Sequence, residues 1–344
     1  MTEVERVMTA GRESVEHARA AAASIQPGPI EQVLADARLA ASEYFNKPPF
    51  ALLVDLVSQR NAVYDLLKMT NKPRQKAELY AAAGQLCGLL SSVSWDLGQP
   101  AVAADQARAA YTYGQLIDEP SLCSWARALE VTIALWSSRP KDAKRIAEAA
   151  ILEAPRGTAR VRLYAVYSRA LAMLGSRKEV ESTLNLMQDE LELAGQDLFL
   201  DETGGELAFD RARATLCASS AYVALGDSEN AESNANLALG LFAEQEEENR
   251  WTAGQLAARI DLGAARVIGR DLAGAEDSLL PVLRLSRDMR TEALIKRLEN
   301  MDKVLGTQQF RGSIEATRIS ERIKSFAGDA IGRVKRPEIE SGLS

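Results

Sequence analysis

The sequence predicts an all-α fold, a solenoid of helix pairs whose ends are covered by terminal helices, and three observations carry that expectation. Five times a helical stretch rich in large apolar residues meets a short turn, and a second helix follows whose inward positions are small. The five turn-and-helix segments are LGQPAVAADQARAA from Leu97, SSRPKDAKRIAEAA from Ser137, LGSRKEVESTLNLM from Leu174, LGDSENAESNANLALG from Leu225 and IGRDLAGAEDSLLPVL from Ile268. Self-similarity at an interval of tens of residues marks stacked supersecondary units that together bury one continuous core. Within the second helices the same offsets recur, as Ala103, Ala107 and Ala110, as Ala143, Ala147 and Ala150, and as Ala231, Ala235 and Ala238. These lie on one helical face and let two helices approach closely. Alanine and leucine are abundant and aromatics make up only 6% of the chain, which suits close-packed helices better than a β-sheet core.

The elements follow in order. Residues 1–27 form an N-terminal arm: positions 3 to 24 read as a polar, alanine-rich amphipathic helix, which Gln26-Pro27-Gly28-Pro29 breaks. Residues 28–72 hold two pre-repeat helices, from about Ile30 to Phe45 and, after Lys47-Pro48-Pro49, from Phe50 to Met69. Asn71-Lys72-Pro73 opens the repeats, about five units over 73–288, the first beginning with a helix from Arg74 to Leu97. The third unit substitutes Val180, Leu184 and Met187 at the small positions, and the fifth has Ala275, Leu279 and Val282, while their turns still align. The widest interval contains LAGQDLFLDETGGELAFD, Leu193 to Asp210, an inserted loop that is a packed surface connection or, alternatively, a lid or a partner-binding loop. EQEEENR at 244–250 reads as a solvated charged turn. Residues 289–336 are expected to cap the open end through the apolar side formed by Ile314, Ile319, Ile323 and Phe326, and 337–344 form a tail.

Composition narrows the function classes. A net charge of −7 argues against a surface built to neutralise phosphates, although Arg318, Arg322, Lys324, Arg333, Lys335 and Arg336 make the C-terminal end locally basic. The N-terminus has no apolar run of signal-peptide length and no stretch approaches membrane-spanning length, so a cytoplasmic protein without membrane attachment is expected. Cys87, Cys123 and Cys217 are scattered and form no CxxC pair, as small core residues would. His17 is the only histidine and falls in a surface-like helix, which argues against a His-rich metal site, a Ser–His–Asp triad or a Cys–His dyad. Neither G-x-G-x-x-G nor the P-loop pattern occurs, so no cofactor, no metal and no catalytic residue is nominated.

The turns, the alternating helices and the Ala-x-x-x-Ala-x-x-Ala pattern are similar to tetratricopeptide repeats. More specifically, YFNKPPFALLVDLVSQRNAVYDLL, LYAAAGQLCGLLSSVSWDLGQPAVAADQARAAY and LAGAEDSLLPVL resemble the C-terminal repeat region of actinobacterial helix-turn-helix transcriptional regulators, over about residues 28 to 326. The resemblance implies a right-handed α-solenoid that senses a ligand or a protein and passes the result to a DNA-binding domain. Those regulators carry such a domain ahead of the repeats, where this chain has the short polar helix before Pro27; direct DNA binding is therefore not expected.

In a tetratricopeptide solenoid the first helix of each pair lines the concave face, and aligning the turns selects the residues that project there. They are Gln85, Ser92 and Trp95 from the first unit, Trp125, Thr132 and Trp136 from the second, Arg162 and Arg169 from the third, and Arg213 with Ser220 from the fourth. The fifth projects Ala257, Ile260, Ala264 and Val267. Tryptophan offers a broad apolar contact with one donor, and arginine can hold a carboxylate through two parallel bonds, so the set suits a peptide, a protein segment or a small acidic ligand. The competing reading is that the tryptophans fill gaps between long helices and the arginines pair with Asp96, Asp210 or other local acids. The expected function is thus a non-catalytic regulatory binding module, with homodimerisation one route of response. A constitutive protein–protein scaffold and, less favoured, a helical enzyme are the alternatives.

Overall fold

The computed structural model describes residues 3–21, 25–193, 197, 199–245 and 251–329. Among the described residues the chain forms fifteen α-helices and a few 3₁₀ turns, with no strand. The first five are α1 (Glu3–Ala21), α2 (Pro27–Glu43), α3 (Pro49–Met69), α4 (Pro73–Asp96) and α5 (Pro100–Leu116). Next come α6 (Pro120–Trp136), α7 (Pro140–Glu153), α8 (Thr158–Met173), α9 (Arg177–Leu193) and α10 (Arg211–Leu225). The last are α11 (Ser228–Glu244), α12 (Thr252–Ile268), α13 (Leu272–Leu283), α14 (Glu292–Leu305) and α15 (Ile314–Gly328). The expected acidic turn at 246–250, positions 194–196 and 198 of the inserted loop, and everything from 330 on, including Arg333, Lys335, Arg336 and the 337–344 tail, lie outside the described residues.

Local chemistry sets the helix boundaries. Helices α2 to α7 each begin on a proline, whose missing N–H costs nothing in a first turn where that group has no intrahelical acceptor. Later helices use side-chain caps: Asp210, Asp227, Asp271, Thr291 and Ser313 each accept a hydrogen bond from the backbone N–H three residues on. Six helices end alike. Gly98, Asp118, Ser138, Gly175, Gly226 and Arg270 adopt positive φ, and the next residue donates its N–H back to the carbonyl five residues earlier, as in Gln99 N to Ser94 O at 2.9 Å and Asp271 N to Arg266 O at 2.8 Å. The turns that align in the sequence are therefore one geometry, adopted at Ser138 and Arg270 without glycine.

From α2 to α13 each helix packs on its chain neighbours, and alternate helices also touch: α4 meets α6, α6 meets α8, α8 meets α10, α10 meets α12, and α12 meets α14. These six form an inner layer; α5, α7, α9, α11 and α13 lie outside it. The small-residue stripes explain the seating of the outer helices, since Ala103, Ala107, Ala143, Ala147, Ala231, Ala235 and Ala275 are fully buried. Close approach within the inner layer needs glycine on α4. A Cβ on Gly88 would lie 2.2 Å from Trp125 Cζ3, and one on Gly84 2.5 Å from Leu122 Cδ2.

Two segments do more than the sequence led one to expect. Helix α14 does not merely cover an end: it packs on α12 and also on α4, so the inner layer returns to its start and closes. Capping falls to α15, which lies on α13 and α14 with Ile319, Ile323 and Phe326 buried, while Ile314, its first residue, is exposed. The inserted loop is no surface connection. Leu200 and Leu207 are buried in the cluster formed by α2, α3 and α4, and the 3₁₀ turn Gly205–Leu207 packs on α2. Asp201 knits the loop together by accepting from Thr158 Oγ1 at 2.5 Å, Asp197 N at 2.8 Å and Phe209 N at 3.1 Å. Gly205, at φ 56°, lies so close to α2 that a Cβ would fall 2.1 Å from the Ala41 carbonyl oxygen. Among the described residues no helix is long and apolar enough to cross a membrane.

Candidate functional site: a cavity inside the helical ring

Closing the inner layer leaves a cavity of about 200 Å³ to which all six inner helices contribute. Eight of the ten residues projected from the sequence meet on its wall: Ser92 and Trp95 from α4, Trp125, Thr132 and Trp136 from α6, Arg162 and Arg169 from α8, and Arg213 from α10. The other two lie off it. Gln85 is buried and its Nε2 donates to Thr203 Oγ1 of the inserted loop at 3.3 Å; Ser220 Oγ donates to Asp261 Oδ2 at 2.6 Å. From the fifth unit, Ala257 reaches the wall, whereas Ile260, Ala264 and Val267 are core residues.

Sequence reasoning missed several lining residues. Tyr44 comes from the pre-repeat segment, Glu206 and Phe209 from the inserted loop, Trp251 from the residue before α12, and Arg297 from α14. All four tryptophans of the chain therefore line this cavity. Asp261, behind the wall, left a signal in the sequence as the lone acid in the apolar run LAARIDLGAARV.

Four arginines face the cavity in two pairs with different partners. Arg162 donates through Nη2 to the carbonyl oxygens of Leu207 and of Ala208, the latter at 2.9 Å, and stacks on Phe209 at 4.9 Å. Burial, then the neighbouring Arg213, pulls its pKa down to about 10. Arg213 donates to the carbonyl oxygens of Gly205 at 2.8 Å, Ala208 at 2.6 Å and Glu206 at 3.2 Å, pairs with the Glu206 carboxylate at 3.8 Å, and lies 4.6 Å over Trp251. This first pair holds the inserted loop.

The second pair shares one ring and one acid. Arg297 Nη1 donates to Asp261 Oδ1 at 2.6 Å and to Ser220 Oγ at 2.8 Å, and its guanidinium lies 5.5 Å from the Trp136 ring centre. Arg169 lies 5.1 Å from the same ring. Among the described residues it has no carboxylate at ion-pair distance. Burial lowers its pKa, with Arg297 contributing, while Cys217 and Asp261 oppose.

The remaining polar groups are uneven. Trp95 and Trp125 are buried, and neither indole Nε1 has a hydrogen-bond partner among the described residues. Thr132 Oγ1 donates to the Ala128 carbonyl of its own helix at 2.9 Å, and Ser92 Oγ reaches Glu206 Oε1 at 3.4 Å. Asp96 accepts from Tyr44 Oη at 2.7 Å; burial pushes its carboxyl up to about 7, Tyr44 opposes the rise, and Glu206 and Glu292 add to it. Burial also pushes the Cys217 thiol up, keeping it protonated at neutral pH and so a poor nucleophile. His17 is exposed on α1, away from the cavity wall, and no group of three or more potential metal-ligating side chains occurs among the described residues.

Fold and site together define a class of protein: an all-helical ring around an arginine- and tryptophan-lined cavity. No family model matches the chain, and no curated protein matches it in sequence.

Proposed function

We propose that the chain is a non-catalytic binding module, a tetratricopeptide-like solenoid whose concave face is folded inward, and that it takes a small acidic ligand in the ring cavity. The observation that carries this reading is Arg169: a cation stacked on Trp136, partly withdrawn from water, with no carboxylate beside it. A buried charge without its counter-ion is costly, and an anionic ligand would supply one. The cavity's size favours a small molecule over an extended peptide, since about 200 Å³ falls below the ~300–1,000 Å³ of drug-sized pockets.

The resemblance to the repeat region of actinobacterial regulators supports a sensory role, in which occupancy changes how the ring closes and so what its outer surface presents to a protein partner. The contact between α14 and α4 is where such a change would be felt, because both helices line the cavity and join the two ends of the inner layer. Intact-complex mass spectrometry of the protein purified from its native cells tests the reading. A stoichiometric small acid that is lost on Arg169→Met is expected. A protein partner that co-purifies at full occupancy and is indifferent to Arg169→Met would replace the sensor with a constitutive scaffold.

A further inference from the structure

The ligand's chemistry can be narrowed, given the small-acid reading above. Of the four arginines on the wall, Arg162 directs Nη2 and Arg213 directs Nη1 and Nη2 at loop carbonyls, and Arg213 also pairs with Glu206, although Arg162 Nε has no partner among the described residues. The pair on Trp136 has no such carbonyl cradle: its two guanidiniums share Asp261, which Arg297 binds directly, and one positive charge is left over. One more anionic group neutralises the pair, and a planar carboxylate fits the fork of a guanidinium through two parallel bonds. A phosphate dianion would bring a second charge into a wall that also holds Glu206.

The rest of the wall describes the ligand's body. Beyond the arginines the cavity presents Trp95, Trp125, Trp251, Phe209, Val166 and Leu216. Ring faces and edges favour another ring beyond the area it buries. The indole Nε1 atoms of Trp95 and Trp125 are buried and have no partner among the described residues, so these two rings present apolar surface to the cavity.

We propose that the cavity binds an aromatic monocarboxylate, its carboxylate set between Arg169 and Arg297 above Trp136 and its ring among the remaining tryptophans. Titration calorimetry on the full chain provides the test, with 4-hydroxyphenylacetate, 4-hydroxycinnamate and indole-3-acetate as ring acids, 4-hydroxyphenylacetamide as a neutral counterpart, and octanoate, succinate and inorganic phosphate as other anions. Expected is saturable one-to-one binding of at least one ring acid, weakened at least tenfold in the amide and at least tenfold by Arg169→Met, with Arg169→Lys in between. Should Arg169→Met not fold, Trp136→Leu, which removes the stacking platform and keeps both cations, is expected to weaken binding of the same acid at least threefold. Tighter binding of octanoate, succinate or phosphate than of every ring acid, still lost in Arg169→Met, would sink the aromatic class and leave the small-acid reading standing. Binding of no acid at all would sink both.

Discussion

The two arginine pairs occupy one cavity and meet similar desolvation, yet they are neutralised differently. Around Arg162 and Arg213 the charge is met by carbonyl dipoles of residues 205–208 and by Glu206, all from the inserted loop, so removing either cation would strand buried acceptors. Around Arg169 and Arg297 the only acid at ion-pair distance among the described residues is Asp261, and it is bound to Arg297. A guanidinium that donates to buried loop carbonyls holds structure together. One left beside an aromatic face, without an acid, is available to a guest.

The sharpest way to break this contrast is to replace each arginine in turn by methionine, which has similar length and no charge. Arg162→Met takes the Arg162 donor from the Leu207 carbonyl and leaves that of Ala208 with Arg213 alone, and it is expected to cost about 2 kcal/mol, read from the urea midpoint at constant slope. It should also free the loop, raising amide exchange over residues 199–209. An Arg162→Met variant as stable as the parent would mean that the loop is held by Leu200, Leu207 and Asp201 alone, and the two pairs would no longer differ.

Asp96 gives the next effect. Its folded pKa, pushed up to about 7, lies above the ordinary aspartate value of ~3.9, so between those limits the native state binds more protons than the unfolded chain. Stability must then fall as pH rises through that window, by up to about 2 kcal/mol from pH 5 to pH 7, and level off above it. Asp96→Asn, which keeps an acceptor for Tyr44, should flatten the curve. The same ionisation bears on the arginines: above pH 7 the cavity gains a carboxylate, and its affinity for an added acid should drop in the parent but not in Asp96→Asn.

Arg169→Met is the counterpart of Arg162→Met, with an expected effect of opposite sign. Because it removes a desolvated cation with no acid of its own, stability should be unchanged or higher by up to about 1 kcal/mol in the ligand-free protein. A loss of 2 kcal/mol or more would give Arg169 the same structural standing as Arg162.

Much of this contrast was legible before any coordinates, and its limits are physical. Helical periodicity and the aligned turns place the inner helices, and the likeness to tetratricopeptide repeats projects Trp95, Trp125, Trp136, Arg162, Arg169 and Arg213 from them to one face. What the sequence could not give is closure. Whether a solenoid stays open depends on small rotations accumulated over every unit, and nothing local in α14 announces that it meets α4. Arg297 was therefore read as part of a cap. The inserted loop misled for a different reason: its glycines and acids have the composition of a surface turn, while Leu200 and Leu207 act as anchors only because α2 offers Gly205 room at Ala41.

Outside the ring the molecule carries its own control for the cavity pair. Arg318 and Arg322 of α15 share one acid, Glu276 of α13, at 2.5 Å and 2.9 Å, so two guanidiniums again meet a single carboxylate. Here both cations are substantially exposed, with side-chain accessibilities of 53% and 37%, and water supplies what the second carboxylate would. Arg318→Ala should accordingly leave the urea midpoint almost where it is, and any shift should shrink further in 0.5 M salt. If it instead cost as much as Arg162→Met, the number of acids per arginine would matter more than desolvation, and the case for Arg169 as the vacancy in the cavity would lose its physical ground.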